Sequence, residues 1–202
     1  MHGQSVMWPV LVRASEVQVP APLQVIARGG FAMGVLAYVR YEPPSPLCYE
    51  ELCFMPCLVE ARAAGRRRRG YFVARMYVDS EASLAGGREI WGLPKSLARF
   101  TRHGSRVEVS ADDGSELTLE LGRVGPGLRS RTRATTLQSV EGCVVRFRGD
   151  FRARVAPTSV RVARFTSAHP AWRGFPGAVR LPRPGLALTD FDAVMQEPER
   201  LG

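Results

Sequence analysis

Long apolar runs are missing from this chain. No segment approaches the roughly 18 consecutive apolar residues of a membrane span. The first residues also lack the charged segment and longer apolar stretch of a secretory signal peptide. We therefore expect a soluble, cytoplasmic protein without a membrane partner. A chain of 202 residues can bury one sizeable core, which predicts a single domain over residues 1–202.

Histidine is scarce, and its placement argues against a metal centre. His2, His103 and His169 have no ligand spacing to the three cysteines of segment 48–57. Without an export signal, the four cysteines are better explained as reduced core thiols than as disulfides. We predict no metal and no organic cofactor.

Acidic residues are few relative to basic ones, 19 against 28, which gives a formal charge of +9. Such a balance can indicate a nucleic-acid partner. The arginines are scattered, however, apart from residues 66–69, and no helix-turn-helix, zinc finger or aromatic–basic pattern accompanies them. We predict that this run is a solvated hairpin tip and that the protein binds no nucleic acid; an RNA-binding module is the weaker alternative.

Helical periodicity is also thin, and most of the chain has the pattern of short strands separated by turns. The helix candidates are a segment capped by Ser80 and ended by Gly86 and Gly87, and a second one at 190–195. The predicted loops are 124–136 and 180–185, and Asp112-Asp113-Gly114 predicts a hairpin over 106–121. Strands are predicted at 10–12, 34–41, 52–59, 71–78, 106–110, 116–121, 143–148, 159–165 and 178–181. This spacing predicts a mainly β (α+β) protein built as an antiparallel barrel or sandwich.

Lysine is nearly absent: the chain contains Lys95 and 27 arginines. Arginine replaces lysine wherever only charge matters, but its guanidinium stays protonated and cannot act as an amine nucleophile. Lys95 follows Pro94 and lies close to Trp91, Leu93 and Leu97, an apolar setting for a cation. Removal from water favours a neutral amine, so this setting predicts a nucleophilic lysine. The alternative is a lysine left over by chance.

The lysine segment resembles the Gly-Arg-Glu-x-x-x-x-Pro-Lys signature of the acetoacetate decarboxylase family. Here it reads Gly87-Arg88-Glu89, four further residues, and Pro94-Lys95. The upstream segment RMYVDSEASLAGGRE and the downstream segment HPAWRGFPGAVRL are also similar to the family, so the resemblance covers about residues 49–188. It implies that Lys95 forms a Schiff base. It further implies a curved antiparallel β-barrel with a few short peripheral helices and an internal pocket, and a homo-oligomer.

A carboxylate also carries over from the family. Segment 48–51, CYEE, is similar to the family's Cys-Tyr-x-Glu and implies that Glu51 is the active-site acid. Strand alternation places Glu51 on one face with Cys53 and Met55, although either face could be the inner one. Glu51 would handle protons at the imine or enamine carbon. The alternative is a surface acid at a strand end.

The residues around the nucleophile complete the predicted substrate site. Arg88 either pairs structurally or binds a substrate carboxylate, for which a guanidinium is suited. Glu89 has the same two alternatives, and for it structural pairing is favoured over a role in orienting the substrate carboxylate. Trp91 and Leu93 are the apolar members of the substrate-binding set.

Three departures from the family pattern limit what the resemblance implies. Ser96 stands where the family enzyme has a second lysine, residues 36–38 contain no acid, and no arginine precedes Arg13. Imine formation is therefore better supported than decarboxylation of acetoacetate itself. The predicted function is a Schiff-base-forming lyase that decarboxylates a small keto acid through a Lys95 imine. The alternatives are a pyruvate-type aldolase-dehydratase using the same lysine and a non-catalytic barrel that binds a small molecule.

Overall fold

The computed structural model describes residues 1–63, 65–180 and 182–201. The strands are β1 (His2–Arg13), β2 (Gln24–Val25), β3 (Ala27–Arg28), β4 (Phe31–Tyr41), β5 (Tyr49–Met55), β6 (Cys57–Ala63), β7 (Arg66–Phe72), β8 (Arg75–Val78), β9 (Lys95–His103), β10 (Arg106–Ala111), β11 (Glu116–Leu121), β12 (Leu128–Val140), β13 (Cys143–Thr166), β14 (Arg183–Met195) and β15 (Glu199–Leu201). The α-helix α1 spans Glu81–Trp91, and short 3₁₀ turns occupy Ala14–Glu16 and Pro170–Trp172. None of the helices in these residues is long and apolar enough to cross a membrane.

The strands form one large sheet that closes on itself. Its hydrogen-bonded order is β11-β10-β9-β8-β5-β4-β1-β14-β13, and the last part of β13 pairs back onto β11. This closure produces a barrel, which removes open edges from that part of the sheet. The first part of β13 instead pairs with β12, from which an arm continues through β7 and β6 to β2. The mainly β fold with a barrel and few short helices, predicted from sequence, is therefore confirmed.

One strand pair of the barrel is parallel, unlike the antiparallel arrangement that the sequence predicts. Strands β8 and β9 run in the same direction, with Met76 opposite Lys95. Parallel neighbours require a crossover connection, and α1 provides it. The crossover places the helix directly over the start of β9.

The helix begins where the sequence predicts but ends later. The Ser80 side chain caps it by accepting a hydrogen bond from the Ser83 amide at 3.2 Å. The predicted stop at Gly86 and Gly87 is wrong, because the helix continues to Trp91 and terminates at Gly92, whose φ of 61° is left-handed. Left-handed backbone favours glycine, so Gly92 is the residue that ends the helix.

Several other sequence-based predictions are wrong. Segment 190–195 is not a helix but part of β14, where buried Phe191 and Ala193 alternate with exposed residues. The predicted loop at 124–136 becomes strand from Leu128, because this polar segment pairs along β13. The predicted loop at 180–185 likewise becomes strand from Arg183. Residues 178–180 are not a strand, and Leu181 lies outside the described residues.

The arginine run at 66–69 also differs from its prediction, because it forms the start of β7 and pairs with β6 rather than making the hairpin tip. The predicted strand bounds differ from the structure in two further places. Segments 52–59 and 71–78 each divide into two strands, at residue 56 and at residues 73–74. The predicted strands 143–148 and 159–165 instead belong to the single long strand β13, which pairs with β14 over most of the interval between them.

Alternation along the strands separates two apolar clusters on opposite faces of the sheet. The barrel interior contains Trp8, Leu36, Phe54, Tyr77 and Trp172, among others. The opposite face of β4 and β5 carries a second cluster, which we call the α1-side cluster: Ala37, Val39, Tyr41, Tyr49, Cys53, Val73, Met76, Val78, Leu93, Ala153, Leu188, Phe191 and Ala193. Of the cysteines, Cys53 and Cys57 are buried as predicted, whereas Cys48 and Cys143 are exposed.

A polar network lies beside the barrel interior, away from the α1-side cluster. Asp113 accepts hydrogen bonds from Arg75 at 2.6 Å and from the Tyr77 hydroxyl at 2.8 Å, and Trp172 donates to the same hydroxyl at 3.1 Å. Burial opposes ionisation of Asp113, but hydrogen bonds from Ser115 and Tyr77 and the charge of Arg75 outweigh it and lower the pKa to about 2. Asp113 is therefore a carboxylate at neutral pH.

Candidate active site

Lys95 begins strand β9, at the point where three neighbouring strands meet. It lies opposite Met76 of β8, which in turn lies opposite Cys53 of β5. Glu51 lies two residues before Cys53 and therefore projects from the same face of the sheet. Among the residues that the structure describes, the buried charged side chains are those of Glu51 and Lys95, with 7% and 5% exposure. The sheet thus brings one acid and one amine together in an otherwise apolar interior.

The Lys95 amine is held by two hydrogen bonds and an aromatic face. Nζ lies 3.0 Å from Glu51 Oε2 and 2.9 Å from Ser83 Oγ. It also lies 5.4 Å from the centroid of the Tyr49 ring, within the range of a cation–π contact. The Tyr49 hydroxyl donates to the same Glu51 oxygen at 3.3 Å. A buried ion pair of this kind needs such additional partners, because desolvation opposes it.

Helix α1 packs two small residues against the lysine. Its buried residues are Ser83 and Gly87, which are four positions apart and therefore lie on one face. A Cβ atom at Gly87 would lie 2.5 Å from Lys95 Cε and closer still to Cδ. The lysine side chain therefore occupies the space that any larger residue at position 87 would need.

The helix terminus also fixes the Lys95 backbone. Arg88 Nε donates to the Lys95 carbonyl oxygen at 2.9 Å. The Leu93 amide donates to the Gly87 carbonyl at 3.0 Å, and the Lys95 amide donates to the Leu93 carbonyl at 2.8 Å. These bonds hold residues 93–95 in a tight connection between helix and strand.

The groups around the pair are uncharged at neutral pH. Burial, reinforced by the charge of Glu51, raises the pKa of the Tyr49 phenol well above its usual value. The same two causes raise the pKa of Tyr41, whose ring stacks on Tyr49 at 4.5 Å between centroids, and of the Cys53 thiol. Glu51 is therefore the carboxylate that can accept a proton from the amine, with Tyr49 as a hydrogen-bond donor to it.

The structure brings together some of the predicted site residues and not others. Glu51 and Lys95 are in contact, and Leu93 is buried in the α1-side cluster. Arg88 and Glu89 are exposed, and Arg88 Nε is directed to the Lys95 backbone rather than toward the amine. Trp91 is half-buried; its Nε1 donates to the Gln196 carbonyl at 3.4 Å, and its ring lies 5.7 Å from that of Phe147.

Sequence reasoning missed Ser83, Gly87 and the role of Tyr49. For Tyr49 the signal is present, because it precedes Glu51 by two residues and strand alternation places both on one face. For Ser83 and Gly87 the signal is a helix with small residues four positions apart, which leaves room for another side chain to approach. Which side chain approaches depends on the crossover and is not visible in the sequence.

A cavity of about 190 Å³ lies elsewhere in the molecule. Its lining includes Val17, Phe72, Ala74 and Pro170, and none of its lining residues contacts the Lys95 amine. We assign it no part in this site.

The fold and the site together define a class: a closed β-barrel protein whose crossover helix covers a buried lysine–carboxylate pair. The chain belongs to the acetoacetate decarboxylase (ADC) family, whose model matches residues 2–191. The family resemblance found in the lysine segment is thereby confirmed over nearly the whole chain.

Curated relatives match shorter stretches. Acetoacetate decarboxylase 1 of Bradyrhizobium diazoefficiens is 33% identical over 94 residues, which is 46% of this chain and 32% of the relative. The acetoacetate decarboxylase of Acidiphilium cryptum is 32% identical over 111 residues, covering 55% of this chain and 40% of the relative. The matched segments thus span well under half of either curated relative.

Solved structures share the fold at low sequence identity. The enduracididine biosynthesis enzyme MppR, complexed with pyruvate, aligns with a TM-score of 0.68 at 14% identity, covering 100% of this chain and 89% of that one. Acetoacetate decarboxylase from Legionella pneumophila aligns with a TM-score of 0.53 at 15% identity, covering 96% and 85%. At such identities the likeness shows the fold alone.

Proposed function

We propose that this protein is a Schiff-base-forming lyase that acts on a small keto acid through Lys95. The observation that carries the proposal is the buried contact of 3.0 Å between Lys95 Nζ and Glu51 Oε2. An amine nucleophile must lose a proton before it attacks, and a carboxylate at hydrogen-bond distance accepts that proton without rearrangement. Membership of the acetoacetate decarboxylase family supports the same chemistry.

The proposed reaction begins with proton transfer from Lys95 to Glu51. The neutral amine then attacks the ketone carbon of the substrate, and loss of water gives an iminium. For a 3-keto acid, the bond to the carboxylate breaks and its electron pair moves into the iminium, which releases carbon dioxide and leaves an enamine. Glu51, which is a carboxylate again once the iminium has formed, takes up a proton from solvent and delivers it to the enamine carbon. Water then hydrolyses the resulting iminium to free the ketone and the protonated lysine.

A second candidate reaction is an aldol addition and dehydration that starts from pyruvate. It uses the same lysine, because a pyruvate imine loses a proton to form the enamine that attacks an aldehyde. The observation that favours it is the likeness to MppR, a fold neighbour whose solved structure contains pyruvate. Arg88 favours neither the decarboxylation nor the aldol reaction, because its Nε donates to the Lys95 carbonyl oxygen rather than pointing to the amine.

Borohydride trapping tests the shared step. The protein is incubated with acetoacetate or pyruvate, reduced with borohydride and measured by intact mass, followed by peptide mapping. Because Lys95 is the only lysine, an adduct outside the amino terminus must lie there. We expect an adduct in the wild-type protein and none in Lys95→Arg, which keeps the charge but not the amine nucleophile.

Product analysis separates the alternatives. Carbon dioxide and acetone from acetoacetate indicate decarboxylation, whereas a condensation product from pyruvate and an aldehyde indicates the aldol reaction. An adduct without turnover on either substrate indicates a non-catalytic binding barrel. Failure of folded wild-type protein to form any Lys95 adduct with either keto acid would remove the basis of the proposal.

A further inference from the structure

Four buried side chains at this site, those of Tyr49, Glu51, Lys95 and Ser83, are linked in series by hydrogen bonds. Lys95 Nζ donates to Ser83 Oγ at 2.9 Å and to Glu51 Oε2 at 3.0 Å. Tyr49 donates to that same carboxylate oxygen at 3.3 Å. The four residues are 5% to 9% exposed. The groups in contact with the amine are therefore Glu51 and Ser83, and burial shields them from bulk water.

Of these four residues, Ser83 is the one whose hydroxyl is not explained by packing in the buried interior alone. A hydroxyl on the buried face of a helix costs free energy unless it has partners, and an alanine would suit the helix better. The partner of this hydroxyl is the reacting nitrogen itself. The helix thus presents a group that can both accept and donate a proton at the atom where the new bond forms.

We propose that Ser83 is a catalytic residue that transfers a proton from nitrogen to oxygen during imine formation. The inference rests on the proposed function, because it requires that Lys95 attacks a ketone. It assigns Ser83 a role distinct from that of Glu51, which takes the first proton from the amine. Tyr49 is a positioning residue, since it holds the carboxylate that Lys95 also contacts.

The chemistry requires such a transfer. Attack of the neutral amine forms the carbon–nitrogen bond and moves the carbonyl π electrons onto oxygen, which leaves a positive nitrogen and a negative oxygen. Ser83 Oγ accepts one proton from the nitrogen while it donates its own proton to the oxygen, and the serine is unchanged. Protonated Glu51 then gives its proton to the resulting hydroxyl, the carbon–oxygen bond breaks, and water leaves as the nitrogen lone pair forms the iminium. Glu51 is again a carboxylate beside the positive iminium.

Trapping kinetics test the role of Ser83. In Ser83→Ala we expect the rate of borohydride-trapped adduct formation with pyruvate or acetoacetate to fall at least about tenfold, since general acid–base catalysis typically contributes more than that. The final extent of trapping at saturating keto acid should equal that of the wild type, because Lys95 and Glu51 remain. Exchange of the ketone oxygen with ¹⁸O-labelled water, followed by mass spectrometry, should slow by the same factor.

Two further variants separate proton transfer from a merely structural role. Ser83→Thr restores a hydroxyl at the same position, and we expect it to recover most of the lost rate. Ser80→Ala is the matched control in the same helix, because it removes the cap one turn earlier without touching the amine. It should lower the melting temperature while the trapping rate stays within about twofold of wild type, as expected for a cap that acts on stability alone.

Three outcomes would overturn the inference. A wild-type rate in Ser83→Ala shows that the hydroxyl carries no proton. A lower final extent of trapping in Ser83→Ala, without recovery in Ser83→Thr, shows that serine only holds the lysine in place. If the wild-type protein forms no adduct, the proposed function fails and the inference fails with it. That last result is recognisable because it does not depend on position 83.

Discussion

Substitution of Gly87 by alanine has two opposing effects on the free energy of unfolding, one from helix propensity and one from packing. In an exposed helix, glycine to alanine stabilises by about 1 kcal/mol, because alanine loses less backbone entropy on folding. At Gly87 the added Cβ would lie 2.5 Å from Lys95 Cε and closer to Cδ. Overpacking in a core costs about 1–3 kcal/mol. We therefore expect Gly87→Ala to be destabilised by about 0–2 kcal/mol in net free energy of unfolding.

The effect on the amine should exceed the effect on stability. Lys95 can relieve the clash by swinging its side chain, but its amine is tied to Glu51 and Ser83, so the movement breaks one or both hydrogen bonds. A displacement of about 1 Å at a reacting atom can cost roughly 10²-fold in rate. We expect borohydride-trapped adduct formation in Gly87→Ala to slow by about that factor, measured alongside urea unfolding.

Gly86 offers a matched control in the same helix. A Cβ there would meet only Ile90 Cδ1, at 3.9 Å, which is ordinary contact. Gly86→Ala should therefore gain up to about 1 kcal/mol of stability and keep the wild-type trapping rate. If Gly87→Ala forms adduct as fast as the wild type, the helix does not position the lysine, and the packing described for α1 has no functional consequence.

Glu51, Asp113 and the exposed pair Leu11 and Met33 can each be tested by a single substitution. Glu51→Gln should slow adduct trapping by about 10²-fold or more, since it removes the proton acceptor; an unchanged rate in quench-timed reduction would exclude that role. Asp113 has a pKa of about 2 in the folded protein against a usual 3.8, so its ionisation stabilises the fold above that usual value. This stability is lost as pH falls from 3.8 towards 2. Melting curves over this range should show a smaller acid-dependent decrease for Asp113→Asn than for wild type. Leu11 and Met33 lie opposite each other on β1 and β4 and are 53% and 57% exposed. We expect self-association through this apolar face, so Leu11→Asp should shift sedimentation toward the monomer, and a monomeric wild type would contradict it.

Strand periodicity predicted the fold class and, for the same reason, the residues that share a strand face with Glu51. Alternation is a local property of extended backbone, so the shared face of Glu51, Cys53 and Met55 follows from their numbers alone. Periodicity of apolar residues did not identify strands that consist mainly of polar residues. Residues 128–136 are rich in arginine, serine and threonine, and only their pairing with β13 makes them a strand. The helix predicted at 190–195 is wrong, because buried and exposed residues alternate there and β1 and β13 pair with β14 on both sides.

The roles of Gly86 and Gly87, which precede Lys95, cannot be predicted from local sequence alone. A Gly-Gly pair often ends a helix, so local propensity alone predicts a helix end at Gly86 and Gly87. In the structure the helix continues through both, because Gly92 provides the left-handed terminus. Gly87 instead accommodates the Lys95 side chain. A long-range contact, created by the parallel crossover, thus explains a residue that local rules assign to something else.

The packing of the Lys95 side chain against Gly87 also explains why position 95 is lysine in a chain with 27 arginines. The space beneath α1 is bounded by Gly87 along the methylene stem and by Ser83 and Glu51 around the amine. A guanidinium is planar, larger and permanently charged, so it would crowd the helix and could not pass a proton to the carboxylate. At exposed positions neither restriction applies, and arginine is found there throughout. Shape and chemistry therefore select the same residue at this position, which is why a composition anomaly visible in the sequence coincides with the buried amine of the fold.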